Sequence, residues 1–82
     1  MFYTYILHSD VLNKFYVGHT NNLEERVARH NRGGVKFTSK GQPWKLVFLE
    51  EFKSKEEAYI RERQIKNWKS KIMIQKLISS AE

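Results

Sequence analysis

An 82-residue chain, 40% hydrophobic, can build one small core and no more, so a single domain over residues 1–82 with at most two packed layers is expected. The absence of cysteine excludes disulfides and cysteine-ligated zinc, while a net charge of +6 favours polyanionic partners over cationic ones. Apolar runs fall far short of the ~20 residues that span a bilayer, and no basic segment followed by an apolar one opens the chain, which points away from a membrane and toward a cytoplasmic protein.

Residues 2–7 (Phe-Tyr-Thr-Tyr-Ile-Leu) are aromatic and β-branched and precede the turn-like pair Ser9-Asp10, which predicts a strand. Its alternation sets Phe2, Thr4 and Ile6 on one face and Tyr3, Tyr5 and Leu7 on the other. A second strand over residues 14–19 opposes Phe15, Val17 and His19 to Tyr16 and Gly18. The connection at 8–13 is short enough for a hairpin, which would bring Tyr5 and Tyr16 together on one face.

Asn22 and Glu25 have the spacing of a capping box, so a helix is expected over residues 23–31, ended by Gly33-Gly34. Leu23, Val27 and His30 fall on one row and face the sheet, flanked by Arg26 and Arg29. Residues 35–44 read as a surface loop punctuated by glycine and proline. Residues 45–52 read as a third strand, mostly buried. Ser54 and Glu57 form a second capping box, opening a helix that runs to about residue 69.

On that helix Glu62 falls beside Ala58 and Ile65, where an acid is partly buried and needs a partner or a cation. Ser70 starts a last helix carrying Ile74, Leu77 and Ile78, or else the last two helices run on as one kinked helix. Residues 79–82 are expected to be disordered. The element order predicts an α+β sandwich, a small three-stranded antiparallel sheet flanked by three helices, with strand order left open.

Residues 15–32 gather a tyrosine, a glycine, two histidines, a threonine and three arginines on a strand, turn and helix, a plausible anion site. Tyr3-Thr4-Tyr5, Tyr16-Val17-Gly18, then Thr20, Leu23, Arg26 and His30, then Arg61-Glu62 with Gln64, Ile65 and Lys66, together resemble the GIY-YIG nuclease superfamily, in particular its small stand-alone bacterial members. The resemblance covers residues 2–78. It departs in Tyr-Thr-Tyr for Gly-Ile-Tyr and Val for Ile, and no asparagine follows Asn67 to match one that many nicking members use.

The resemblance implies metal-dependent cleavage of a nucleic-acid phosphodiester, expected in DNA and in repair or processing. It assigns Tyr5, Tyr16, Arg26, His30 and Glu62 to catalysis, Gly18 to the substrate site, and Glu62 to the metal. One Mg²⁺, with Mn²⁺ as an alternative, suits a single carboxylate whose remaining ligands are waters and phosphate oxygens. Arg26 would clamp the phosphate with its fork of donors. A tyrosine base is chemically demanding, because a free tyrosine titrates near pH ~10 and needs cations close by. Tyr16 is favoured over Tyr5 in that role, with His30 as an alternative proton relay.

Arg29, Arg32, Lys36, Lys40, Lys66, Lys69 and Lys71 are candidates for backbone phosphates, contacts that orient a nucleic acid without reading its sequence. Specificity would then come from shape or from a protein partner. Each residue also has a structural reading. The tyrosines fit as packing residues, His30 as a hydrogen-bonded core histidine, and Glu62 as an ion-pair partner of Arg61, Lys66 or Arg26. Arg26 itself has Asn22 four residues before it and Arg29 and His30 after it, so no acid lies one turn away. Trp44, Phe37 and Trp68 read as core edges or as base-stacking residues. Thr20 and Asn22 read as turn and cap residues, and His8 and His19 as exposed residues without a role. A catalytically weak nucleic-acid-binding module of the same fold is the alternative to an enzyme.

Overall fold

In the computed structural model, which describes residues 1–81, the chain runs β1 (Phe2–Ser9), β2 (Lys14–Thr20), α1 (Leu23–Asn31), a 3-10 turn (Lys36–Thr38), β3 (Trp44–Phe52), α2 (Lys55–Trp68) and α3 (Lys71–Ser80). The strands form one antiparallel sheet in the order β2-β1-β3. This is the expected α+β architecture. β1 is central because β2 pairs with it on one side and β3 on the other, and Thr4, Tyr5, Ile6 and Leu7 are all completely buried. A strand buried on both faces requires cover on both.

The cover divides by side-chain alternation. Tyr5, Leu7 and Trp44 pack on one face with the half-buried Tyr16, Leu23 and Val27, so α1 lies on that face. Ile6, Val17, Phe48 and Ile65 pack on the other with Trp68, Ile74, Leu77 and Ile78, from α2 and α3. Burying each such side chain contributes roughly 1.5–3 kcal/mol. Thr4 Oγ1 donates to the Ala58 carbonyl at 2.7 Å, fastening α2 to β1 without leaving the hydroxyl unsatisfied.

Two expectations are corrected, and of the two readings of the last helices the separate one holds. β3 is not mostly buried: Leu46 and Leu49 are 41% and 45% exposed, because β3 is an edge strand and α1 docks at its Trp44 end. Asn31 makes that dock by donating to the Trp44 carbonyl at 3.2 Å and accepting from the Trp44 amide at 2.7 Å. α2 and α3 are separate helices, since Lys69 turns the chain in a left-handed conformation (φ 50°, ψ 36°) and Ser70 caps α3 by accepting from the Met73 amide. Ser79 and Ser80 belong to α3 instead of a disordered tail; Glu82 lies outside the described residues.

Candidate functional site

Two faces of the sheet contribute to the site, which sits around the β2 edge. In the hairpin register Tyr5 lies opposite Gly18 and Leu7 opposite Tyr16. Tyr5 and Tyr16 therefore share the α1 face, their ring centroids 6.3 Å apart. Gly18 is buried, and a Cβ built on it would stand 2.6 Å from the Tyr5 hydroxyl oxygen. Its place is thus beneath the Tyr5 ring, and the lack of a side chain at Gly18 admits that ring to the site.

His30, completely buried on the inner row of α1, links Tyr5 to the 3-10 turn. Its Nε2 is 3.0 Å from the Tyr5 hydroxyl and its Nδ1 is 2.6 Å from Thr38 Oγ1. Thr38 Oγ1 also donates to the Val35 carbonyl at 3.4 Å, so it accepts from His30 Nδ1–H, and the lone pair on Nε2 accepts the Tyr5 proton. Burial, reinforced by the positive charges of Arg26 and Arg29, lowers the His30 pKa to about 4, so the ring is neutral at pH 7. Burial likewise raises the Tyr5 pKa, helped by Tyr16 and opposed by the Arg26 guanidinium.

Arg26 projects from the first turns of α1 into a cleft of about 350 Å³ lined also by Phe2, His19, Thr20, Asn21 and Lys55. α1 starts where it does because Asn22 Oδ1 accepts the Glu25 amide at 3.3 Å. Arg26 has no carboxylate partner, and its Nε is buried without a hydrogen bond among the described residues. An orphan donor of this kind costs about 1–3 kcal/mol, which an anion in the cleft would relieve.

Glu62 arrives from the other side of the sheet. It is 7% exposed, on the buried row of α2 with Ala58 and Ile65. Its Oε1 accepts from His19 Nδ1 at 2.5 Å and its Oε2 from Lys66 Nζ at 2.6 Å. Lys66 also lies over the Tyr16 ring, 5.9 Å from its centroid, so its side chain spans the β2 edge between the two faces. The Glu62 charge acts on the Tyr5 hydroxyl as well, raising its pKa further. The edge of one strand thus brings together Tyr5, Tyr16, Arg26, His30 and Glu62.

His19 and Thr38 were missed by sequence reasoning. His19 is half-buried and bonded to Glu62, not an exposed residue without a role; alternation already puts it on the face of Val17, the face α2 covers. Of the acid's anticipated partners, Lys66 is engaged, whereas Arg61 donates to Glu50 Oε1 at 2.8 Å. Among the described residues, no group of three or more His, Cys, Asp or Glu side chains gathers to hold a metal.

The remaining cations differ in availability. Arg29 and Arg32 sit 3.5 and 3.6 Å from Glu25 on the exposed side of α1, and Lys71 donates to the Asn13 carbonyl at 2.8 Å, tying α3 to the hairpin. Lys36 and Lys40 are exposed around the 3-10 turn. Lys69 joins Lys66 beside Tyr16. Trp44 is 2% exposed and Trp68 packs at the core edge, so of the three aromatics Phe37 alone, 66% exposed, offers its ring to solvent.

A family model described as the GIY-YIG catalytic domain matches residues 1–77. The chain is 48% identical over 67 residues to a UPF0213 protein of Clostridium perfringens, covering 80% of this chain and 71% of that one. It is 47% identical over 57 residues to a UPF0213 protein of Staphylococcus haemolyticus, covering 68% and 70%. The solution NMR structure of a UPF0213 protein from Bacillus halodurans superposes with a TM-score of 0.61 at 34% identity, over 96% of this chain and 84% of that one. No helix among the described residues is long and apolar enough to cross a membrane.

Proposed function

Because the chain belongs to the GIY-YIG nuclease family, its catalytic-domain model spanning residues 1–77, we propose that it is a metal-dependent endonuclease or nickase acting on DNA in repair or processing. The observation that carries the reading is Arg26, whose buried Nε has no hydrogen-bond partner among the described residues, in a cleft it shares with His19, the residue bonded to Glu62, and near enough to Tyr5 for its charge to act on that hydroxyl. That is the arrangement a phosphate would complete. Arg26 binds a non-bridging oxygen and stabilises the negative charge that develops as the phosphorus is attacked.

Tyr16 is the better candidate for the base. Tyr5 is completely buried, bonded to His30 and held protonated by burial, whereas Tyr16 is half-buried at the mouth of the site with the Lys66 ammonium over its ring. Tyr5 and His30 then act as a neutral, hydrogen-bonded wall that positions Tyr16 and Arg26. The tilted packing of His30 on Tyr16, centroids 4.6 Å apart, fixes the latter ring from below.

A hard oxygen donor such as Glu62 fits a magnesium ion, provided Lys66 yields Oε2; the Lys66 side chain is 38% exposed and free to swing outward. Bound there, the ion would supply Lewis-acid polarisation and neutralise phosphate charge. His19 would hold the other carboxylate oxygen and keep Glu62 oriented. Lys36, Lys40, Lys66 and Lys69 would track neighbouring phosphates, giving salt-sensitive binding with little sequence preference.

The engagement of both Glu62 oxygens by His19 and Lys66 favours a second reading, a nucleic-acid-binding module that does not turn over. Incubating supercoiled plasmid with wild type, Glu62→Gln and Arg26→Ala, with and without Mg²⁺, separates the two. Metal-dependent nicking lost in both variants supports the enzyme, by ~10²-fold or more for Arg26→Ala. Binding without any wild-type nicking supports the module.

A further inference from the structure

We propose that the groove between the 3-10 turn and the α2–α3 junction is a pocket for one unpaired nucleobase, stacked on Phe37 beside Tyr16, with the flanking phosphates on Lys66 and Lys69. The inference rests on the nuclease reading and specifies how such a substrate is recognised. The groove measures about 290 Å³, and its floor includes Tyr16, Ile65 and Ile74. Ligand pockets begin at about 300 Å³, so this one suits a single flat ring system, not an extended chain.

Phe37 is the feature that calls for an occupant. Its ring is 66% exposed yet packs on Tyr16, centroids 5.6 Å apart and planes inclined by 46°. The turn that carries it is firmly tied down: buried Thr38 bonds His30, and the Trp44 indole donates to the carbonyls of Thr38 and Lys40, each at 3.1 Å. An aromatic ring held out on a fastened loop is a preorganised platform, which loses little freedom when a base stacks on it. Every base offers a π-face, so such a contact is indifferent to sequence.

Charge selects the class of occupant. Lys66 and Lys69 stand at the rim of the apolar groove in a chain of net charge +6, which attracts a polyanion and repels a second copy of the chain. Tyr16 lines the groove and packs against Tyr5, and Lys66 at its rim is bonded to Glu62, so a base seated here lies beside the catalytic cluster. A base in a continuous duplex is stacked between its neighbours and is not available. A base next to the end of a paired region is.

The test uses the whole protein in EDTA and three DNA probes: a duplex, the same duplex opened into a fork, and that fork with 2-aminopurine at the first unpaired position. Wild type is expected to bind the fork about tenfold more tightly than the duplex, within the range of one base–aromatic stack, and to change the 2-aminopurine emission. Phe37→Ala, at an exposed position, brings the fork-to-duplex ratio close to one and removes the emission change, while Phe37→Trp retains both. An unchanged ratio in Phe37→Ala, or a wild type without fork preference, overturns the pocket even if plasmid nicking is observed. Phe37-dependent fork binding without nicking sustains the pocket and removes the enzyme reading; no binding to any probe overturns both.

Discussion

The Tyr5 hydroxyl donates to Nε2 of His30 at 3.0 Å, and both residues are completely buried. That bond separates the roles of the two tyrosines. Tyr5→Phe leaves a buried imidazole nitrogen without its donor, and is expected to cost about 1–3 kcal/mol in chemical denaturation. Tyr16→Phe, at a half-buried position, is expected to change stability by less than ~1 kcal/mol and to reduce nicking by ~10²-fold or more, the scale of a lost general base. Equal loss of nicking in both variants at equal stability would remove the distinction.

The burial of His30 makes stability depend on pH. The His30 pKa is lowered to about 4 in the folded chain from its ordinary 6.5, by burial and then by Arg26 and Arg29. Between those values the unfolded chain binds the proton and the folded chain does not, so stability is complete above pH ~6.5 and falls as pH drops toward ~4. The loss attributable to His30 is up to about 3 kcal/mol. Urea unfolding of wild type and His30→Gln at pH 7 and pH 4.5 checks this: the variant is less stable at pH 7 but loses less on acidification. Parallel losses would show that other groups carry the effect.

Gly18 and Tyr5 are coupled by shape. A Cβ on residue 18 would meet the Tyr5 Oη at 2.6 Å and its Cζ at 2.8 Å, with Tyr16 Cε1 at 3.1 Å. Gly18→Ala is expected to destabilise by about 1–3 kcal/mol through overpacking. Removing the hydroxyl relieves the nearer of the two contacts, so Gly18→Ala and Tyr5→Phe together should cost less than the sum of the single changes, measurable by a double-mutant cycle in urea. Strict additivity would place the strain elsewhere.

Much of this arrangement was legible in the chain. Period-two alternation places Tyr5 with Tyr16, and the Asn22 to Glu25 spacing sets the first helix at the observed Leu23–Asn31, because both signals are local. Helical spacing also puts Glu62 beside Ala58 and Ile65. What local signals do not encode is which surfaces meet: the His19 to Glu62 bond joins residues 43 apart and depends on α2 crossing the β2 side of the sheet. Thr38 lies in a polar loop with no periodicity, and its bond to His30 follows from the way the loop folds back. Leu46 and Leu49 read as core because an apolar run cannot reveal that its strand lies at an edge.

On the metal-dependent reading, Lys66 would compete with the cation for Glu62. Its ammonium is 2.6 Å from Oε2, where it neutralises the carboxylate and occupies one of its two oxygens, while His19 holds the other. A divalent ion would have to displace that ammonium; the carboxylate is mostly buried but the lysine is partly exposed, so the displacement costs on the order of 1 kcal/mol. Lys66→Ala is therefore expected to tighten Mn²⁺ binding by about two- to fivefold in calorimetric or electron-paramagnetic-resonance titrations. Glu62→Gln should abolish binding, and His19→Ala should weaken it by freeing the carboxylate to rotate. The same Lys66→Ala variant should bind DNA more weakly and with a shallower salt dependence, because one phosphate partner is gone. Tighter metal binding combined with weaker DNA binding identifies Lys66 as a group shared between acid and substrate; weaker metal binding would instead show that the lysine supports the ion and does not compete with it.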